Sequence, residues 1–173
     1  MLSRINFLQI IRDHLRTLRN INSSSKMVSR PDLLLFFILP LILSGILTIQ
    51  KVELHSHISD FITAISILGG FLFNLLAIIY GLMDKLKLDS KDSDIKKIFV
   101  REIHTNISFN ILLSLILILL LIVYSYQPNN FSCFTMVDYT FSLILYSLLI
   151  LFMLTMIMVF NRIYIIMKKD NEQ

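Results

Sequence analysis

Two histidines, His55 and His57, lie with Glu53 and Asp60 in one short polar segment, and all four side chains are of types that bind metal ions. On an extended strand the His-x-His spacing would place both imidazoles on the same side, as a shared metal ion requires. The same pair could sense pH, because the usual pKa of histidine is about 6.5. A short solvated connection with ordinary polar residues produces the same pattern and is the commoner case. No metal site is therefore predicted, and His55 and His57 are the residues that would form one.

The residues that most enzymes and cofactors need are missing from the apolar part of the chain. Cys133 is the only cysteine, so there is no Cys-x-x-Cys pair, and its thiol could either cross-link two copies or stay free. No Asp, Glu, Lys, Arg or His lies inside the long apolar segments, which disfavours a proton-driven exporter and a haem protein. Phosphate-binding glycine loops, nucleophile elbows and His-Glu-x-x-His motifs are also absent from the sequence. The sequence predicts a protein that is not an enzyme and holds no cofactor.

The composition indicates that these residues are positioned by helices in a membrane. The chain has 173 residues, of which 55% are hydrophobic and 16% charged, and its mean hydropathy is +0.74. A helix of about 20 apolar residues crosses the hydrocarbon core of a bilayer. Four segments have this character, and they are 33–50, 61–83, 107–126 and 139–161. We therefore expect an all-α, integral membrane four-helix bundle over residues 26–173, with an N-terminal basic amphipathic helix over residues 1–25.

The positive charges divide unequally between the two sides of this membrane domain. Lys and Arg are frequent before the first segment, between the second and third, and after the fourth. In contrast, Lys51 is the only one in the first outer loop, and the second outer loop has none. The positive-inside rule then places both termini and the middle connection in the cytoplasm. This topology accounts for the net charge of +4, so no direct binding of nucleic acid is predicted.

The N-terminal segment, residues 1–25, has the pattern of a basic amphipathic helix. Apolar residues share one face, and Arg12, Arg16 and Arg19 line its flank. Such a helix typically lies in the membrane interface with its arginines near anionic headgroups. It could instead dock on the cytoplasmic ends of the bundle or on a partner. A mitochondrial presequence is also Arg-rich and amphipathic, but Asp13 and the lack of a soluble mature domain count against it.

Small and polar residues of the second apolar segment form a single stripe on its helix. The stripe consists of Thr63, Ser66, Gly70, Asn74, Ala77 and Gly81. In lipid such a surface allows another helix to approach closely, and it would line a pore if it were wetted. Asn110 and Ser114 of the third segment lie at a similar depth. We expect the second and third segments to face each other there, with Asn74 hydrogen-bonded across the contact and with Gly69 and Phe73 left for self-association.

The connection between the second and third segments, residues 84–106, is predicted to be a short cytoplasmic stalk. Asp92 or Ser93 can cap a helix that then runs without a break into the third segment. Three basic residues of this stalk could contact the membrane surface or a partner, and they are Lys96, Lys97 and Arg101. A solvated helix end would have the same composition.

The layout of four spans, cytoplasmic termini, a charged stalk and short outer loops resembles the small membrane subunits of bacterial phage-defence systems, such as those of Kiwa type. The local stretch associated with this resemblance is LGGFLFNLL, residues 68–76. The resemblance implies a homo-oligomer in the bacterial inner membrane that senses infection and works with a soluble cytoplasmic effector. It assigns no functional residues. Two other functions remain open, an oligomeric pore-forming or membrane-perturbing effector and a small transporter.

Overall fold

The computed structural model describes residues 7–18, 34–50, 54–88, 94–126 and 135–171. Within these ranges the protein is all-helical and contains no strand. Five α-helices follow one another: α1 (Phe7–Thr17), α2 (Leu39–Ile49), α3 (Ile58–Leu88), α4 (Asp94–Ser125) and α5 (Thr135–Asn171). A π-helical turn, Leu34–Ile38, leads into α2, and a 3-10 turn, His55–His57, leads into α3.

Three helices are long and apolar enough to cross a membrane, so the protein is a membrane protein by length and composition. The candidate spans are Ile58–Met83, Lys97–Ser125 and Asp138–Ile165, and they correspond to the second, third and fourth predicted segments. The first predicted segment forms a shorter apolar helix, Leu34–Ile49. Residues 19–33, which precede this helix, lie outside the described residues, as do most of residues 1–25.

The shorter apolar helix changes from π-helical to α-helical hydrogen bonding close to a proline. Pro40 is the second residue of α2 and comes two residues after the last residue of the π-helical turn. Proline has no N–H, and its ring crowds the carbonyl four residues earlier, so a change of winding at this point is expected. Pro40, Ser44 and Thr48 recur every four residues and are buried on the side of α2 that packs against α5. The two hydroxyl groups donate to carbonyl oxygens of their own helix, at 3.0 Å to Leu41 and 2.8 Å to Ser44.

The third predicted segment, within α4, is the centre of the fold. Helix α4 packs against α3, α5 and α1. Its fully buried apolar side chains include Ile103, Ile107, Leu117 and Leu121. It begins at Asp94 and continues to Ser125, which confirms that a helix starting after Asp92 and Ser93 runs unbroken into the third span.

The apolar helices pack in the order α3, α4, α5, α2. Although α2 and α3 are consecutive in the chain, they do not pack extensively against each other within the described ranges. The row is therefore open where a closed four-helix bundle would bring these two helices together. An open row leaves much of α3 exposed on the outside of the molecule.

The stripe of small and polar residues lies on the exposed side of α3, and the predicted hydrogen bond of Asn74 to the third span is wrong. All six residues of the stripe are exposed. Helix α3 instead meets α4 through Ile65, Gly69, Leu72 and Ile79, which are buried. Successive helix residues turn by about 100°, so these four lie on the side of α3 opposite the stripe. Apolar residues on this face give the tighter contact with α4, whose facing surface is itself mainly apolar.

The glycine that meets α4 is Gly69, which was expected to remain free for self-association. A Cβ atom on Gly69 would lie 3.1 Å from the hydroxyl oxygen of Ser114, whereas one on Gly70 would meet nothing within 4 Å. Ser114 therefore does lie at the contact between the two spans, but opposite Gly69 rather than Asn74. Phe73, in contrast, is exposed as expected.

Candidate functional site: the buried contact of the N-terminal helix

Helix α1 is docked on α4 through a face that contains polar side chains. Ile10 is half-buried there, and His14, Thr17 and Leu18 are buried. These residues follow one another at intervals of four, three and one, as one face of an α-helix requires. Docking on the bundle is one of the settings expected for this segment, and the structure shows this contact.

The side chains of His14 and Thr17 converge on one amide of α4. The Nδ1 atom of His14 is 2.9 Å from the Oδ1 atom of Asn106, and the Thr17 hydroxyl is 2.7 Å from the same oxygen. The Thr17 hydroxyl also lies 2.7 Å from the His14 carbonyl oxygen. The imidazole ring of His14 stacks on Phe109, with ring centroids 3.9 Å apart and an angle of 4° between the planes. The contact is thus polar at its centre and aromatic at its edge.

Arg162 of α5 ties the end of α1 to the same region. It donates to the carbonyl oxygen of Thr17 at 2.9 Å and to the Glu102 carboxylate of α4 at 2.5 Å. The carbonyl groups in the last turn of a helix have no partner within the helix, so this bond caps α1. The Arg162 and Glu102 side chains are only 16% and 15% exposed. The Glu102 carboxylate and the Thr17 carbonyl oxygen together hold the Arg162 side chain inside the protein.

Burial keeps His14 neutral. The loss of solvation lowers the pKa of His14 from 6.5 to about 4; the hydrogen bond to Asn106 opposes this shift, and the positive charge of Arg162 adds to it. The imidazole therefore carries no charge at neutral pH. The contact as described requires this neutral form, because a charged ring beside Arg162 would be both poorly solvated and repelled.

Three polar residues at four-residue steps on α4 meet three different helices. Asn106 contacts α1, the Asn110 oxygen accepts a hydrogen bond from Thr155 of α5, and Ser114 lies against Gly69 of α3. Four residues advance about 6 Å along a helix and about 40° around it, so a row that looks straight in sequence drifts across several neighbours. All three side chains are buried, and the amide nitrogens of Asn106 and Asn110 have no hydrogen-bond partner among the described residues.

The predicted basic surface is divided between α1 and α4. Arg12 and Arg16 are exposed on α1, and Arg16 pairs with Asp13 at 3.2 Å. Lys97 and Arg101 are exposed on α4. Arg19 lies outside the described residues, and only the backbone of Lys96 is described. The structure brings Arg16 and Arg101 together, because both line one groove between the two helices.

No cluster of three or more potential metal ligands exists in the part of the chain that the structure describes. His57 is exposed and lies 3.5 Å from the Asp60 carboxylate. The extended conformation that would place both imidazoles on one side is not formed, because residues His55–His57 form a 3-10 turn that continues into α3. Glu53, the side chain of His55, and Cys133 lie outside the described residues.

The polar residues of the α1 contact could not be selected from the sequence as a group. The sequence pattern assigns no role in this contact to His14, Thr17 or Glu102. A signal was nevertheless present, since His14 and Thr17 fall beside Leu18 on one side of a helix whose other polar residues lie elsewhere. Comparison with known proteins adds nothing to this picture, because no family model, curated protein or solved structure matches the chain. Its function must therefore be argued from the geometry.

Proposed function

We propose that this chain is a non-enzymatic, multi-pass protein of the bacterial inner membrane that assembles as a homo-oligomer and serves as an anchor or sensor for a soluble cytoplasmic partner in antiviral defence. In this proposal the apolar helix Leu34–Ile49 completes a set of four spans. Both termini are cytoplasmic, because Lys and Arg concentrate at one end of the bundle. The role in defence rests on the resemblance of the layout to the phage-defence membrane subunits.

The observation that carries the proposal is the fixed position of α1. A helix that served only as a loose membrane anchor would need no buried polar contacts with the spans. Here His14, Thr17 and Arg162 hold α1 to α4 and α5, while Arg12 and Arg16 stay exposed on its outer side. A helix held in one orientation presents its outer side chains in a fixed pattern, and a fixed pattern lowers the entropic cost of binding a partner.

The exposed stripe of α3 supports self-association. The hydroxyl groups of Thr63 and Ser66 donate to carbonyl oxygens of their own helix, at 2.8 Å to Ser59 and 2.7 Å to Ile62. The amide of Asn74 makes no hydrogen bond within the described residues. An amide that faces lipid without a partner costs on the order of 2–7 kcal/mol, and a second copy can supply that partner. Gly70 and Gly81 leave space for its close approach.

The same stripe favours a second function, a pore. If several copies placed their α3 helices around an axis, the hydroxyl and amide groups would face one another and could hold water. The anchor requires a dry contact between stripes, whereas the pore requires a wetted one. The two functions therefore make different predictions for ion flux, although both need Asn74 at the contact between copies.

The assembly is tested with Asn74→Leu in lipid nanodiscs, with Phe73→Leu as the matched control on the neighbouring face. The molar mass of the native chain should correspond to an oligomer, Asn74→Leu should shift it towards the monomer, and Phe73→Leu should leave it unchanged. Ion flux through proteoliposomes separates the two functions: flux that Asn74→Leu abolishes supports the pore, and no flux supports the anchor. A native chain that is monomeric at all protein-to-lipid ratios would contradict both.

The anchor is tested by a photo-activated cross-linking amino acid placed at Arg12, on the exposed side of α1. Illumination of intact cells should give an adduct with a soluble protein that mass spectrometry can identify. The same amino acid at Phe73 should yield adducts only with lipid or with another copy. If position 12 gives no adduct with a soluble protein during infection or before it, the proposed anchor function is contradicted, whatever the oligomeric state.

A further inference from the structure

Helix α1 has three sides with different chemistry. The docked side, which packs on α4, consists of Ile10, His14, Thr17 and the following Leu18. The apolar side is exposed among the described residues, and it consists of Phe7, Leu8, Ile11 and Leu15. The polar side consists of Gln9, Arg12, Asp13 and Arg16. Phe7 is 53% exposed and Leu8 is 78% exposed, so the apolar side needs a partner that the described part of the chain does not supply.

The three sides follow one another around the helix without mixing. Successive residues of an α-helix are about 100° apart in projection. The apolar side then spans about 100°, between His14 of the docked side and Arg12 of the polar side. Gln9 and Asp13 lead from Arg12 back to Thr17 of the docked side. A helix divided in this way can contact protein, acyl chains and water at once, which is possible only at the surface of a membrane.

The residues that hold α1 mark the level of the membrane surface on two other helices. Glu102 is the last charged residue of α4 before its apolar segment, since no Asp, Glu, Lys or Arg occurs between Glu102 and Asp138. Arg162 is the first such residue of α5 after its apolar segment, since none occurs between Asp138 and Arg162. Charged side chains are costly inside hydrocarbon, so Glu102 and Arg162 both lie at its boundary or beyond it.

The contacts of α1 place it at this boundary. Arg162 joins Glu102 to the carbonyl oxygen of Thr17, so the end of α1 is at the level of these two charged residues. His14, one turn earlier, stacks on Phe109, which already belongs to the apolar segment of α4. Helix α1 therefore extends from the charged end of α4 to the beginning of its apolar part.

We propose that the apolar side of α1 is inserted among the acyl chains at the surface of the membrane, beside the docked contact. At this level, Phe7, Leu8 and Ile11 transfer apolar area from water to hydrocarbon, which stabilises the position of the helix. Arg12 follows Leu8 around the helix, where a guanidinium group can reach anionic headgroups. The docked and the interfacial settings that the sequence presents as alternatives then hold together. The polar side, with Arg16, faces away from the lipid.

The experiment uses the absence of tryptophan from the chain, because a single introduced indole is then the only one that emits. Leu8→Trp and Ile11→Trp place the indole on the apolar side. Gln9→Trp is the matched control, since it lies between these two positions along the helix but on the polar side. Each full-length variant is reconstituted in nanodiscs of phosphatidylcholine and phosphatidylglycerol, with or without bromine near the headgroup end of the acyl chains. Hydrogen exchange of residues 7–18 at the native rate shows that α1 is still docked.

Brominated lipid should quench the emission at positions 8 and 11 at least about twofold more than at position 9. Emission at positions 8 and 11 should also lie at shorter wavelength. Bromine near the free ends of the acyl chains should quench these positions less, because the helix lies at the surface and does not cross the membrane. Equal quenching at positions 8, 9 and 11 would overturn the proposal, since α1 would have no lipid-facing side.

Two other occupants of the apolar side give different results. Short-wavelength emission at positions 8 and 11 without quenching would mean that protein covers this side, either a second copy or another segment of the chain. Long-wavelength emission without quenching would mean that the side faces water. Either result overturns the proposal.

This inference goes beyond the proposed function and does not depend on the anchor, the oligomer or the role in defence. The two kinds of failure are distinguishable. Quenching at positions 8 and 11, together with no adduct between position 12 and a soluble protein, would support the membrane contact and contradict the anchor. An adduct at position 12 without quenching at positions 8 and 11 would support the anchor and overturn the membrane contact.

Discussion

His14 is a titratable side chain placed where its charged form is costly. The folded protein holds its pKa near 4, against 6.5 for an exposed histidine. Because the folded-state value is the lower one, the unfolded or undocked helix takes up the proton first as pH falls. The stability that His14 contributes is therefore complete above pH 6.5 and is lost progressively between pH 6.5 and pH 4. In this range the contribution of His14 to the free energy of unfolding changes by at most about 1.4 kcal/mol per pH unit.

We expect α1 to detach on acidification while the contacts among the longer helices persist. Hydrogen exchange of residues 7–18 should accelerate between pH 7 and pH 5, after correction for intrinsic exchange rates, and exchange in the centre of α4 should not. His14→Asn should remove this pH dependence, whereas His57→Gln should keep it, because His57 is exposed. Equal acid sensitivity in the native chain and in His14→Asn would show that another group controls the docking of α1.

Substitutions at two neighbouring glycines of α3 should distinguish the stability of the single chain from its self-association. A side chain on Gly69 would press on Ser114 of α4, whereas one on Gly70 would enter open space on the stripe. Gly69→Leu should therefore destabilise the chain by about 1–3 kcal/mol through overpacking. Gly70→Leu should leave the stability of the single chain intact and reduce self-association, because it fills the space that a second copy needs.

Thermal unfolding and molar mass in the same detergent measure the two effects. The expected pattern is a lower unfolding temperature for Gly69→Leu and a lower molar mass for Gly70→Leu at an unchanged unfolding temperature. The reverse pattern would mean that the stripe of α3 packs within the chain. Gly69→Ala and Gly70→Ala add a smaller group at each site, so they should change the unfolding temperature and the molar mass in the same pattern but by smaller amounts.

At the scale of elements, the attachment of α1 depends on an ion pair between the two helices beneath it. Arg162 joins Glu102 of α4 to the Thr17 carbonyl of α1. Arg162→Gln removes the charge that Glu102 requires and weakens the cap of α1. We expect a cost of about 1–3 kcal/mol, since breaking a largely buried pair leaves one charge without compensation.

A double-mutant cycle distinguishes the ion pair from the cap. Glu102→Gln combined with Arg162→Gln should recover part of the stability, because no lone charge remains. Exchange of residues 7–18 should stay faster than in the native chain, because a glutamine at position 162 replaces the guanidinium that caps Thr17. Strictly additive effects of the two substitutions in thermal unfolding would show that Arg162 and Glu102 do not stabilise each other.

The helices themselves were predictable because their signals are local. Long apolar segments gave three of the spans, and the polar residues before Asp94 correctly marked the start of α4. The choice of partner for each helix face was not predictable in the same way. A stripe such as that of Thr63 and Asn74 suits a contact within the chain and one between chains equally well, so its chemistry does not say which is used. The apolar face on the opposite side of α3, which contains Gly69, decides the question through close packing against α4 that the sequence does not show.

The docking of α1 was an alternative that the sequence left open, and it could not be chosen from the sequence for a related reason. The helix carries one apolar face for the protein and a second for its surroundings, and the two are adjacent in the helical projection. Read from the sequence, they merge into one broad amphipathic surface. Only the partners of His14 and Thr17 on α4 separate them. The groove with Arg16 and Arg101 follows from this docking and could not be anticipated without it.

For the whole molecule, the open row α3, α4, α5, α2 explains why the third apolar segment, in α4, is the centre of the fold. A helix in the middle of a row is covered on both sides, whereas α3 at its end is covered on one. The buried polar side chains accordingly collect on α4, at Asn106, Asn110 and Ser114. An open row of apolar helices has edges that lipid or further copies must cover, so the arrangement and the proposed self-association are consistent.

The orientation of the molecule in the membrane decides which partners α1 can meet. Residues 84–101 hold six Lys or Arg, whereas residues 127–138 hold none and contain the lone Cys133. By the positive-inside rule, Cys133 should react with a membrane-impermeant maleimide in intact spheroplasts. In a Cys133→Ser background, Ser90→Cys should react only after the membrane is permeabilised. The opposite labelling would place α1, Arg16 and Arg101 outside the cell. A soluble cytoplasmic partner of α1 would then be excluded.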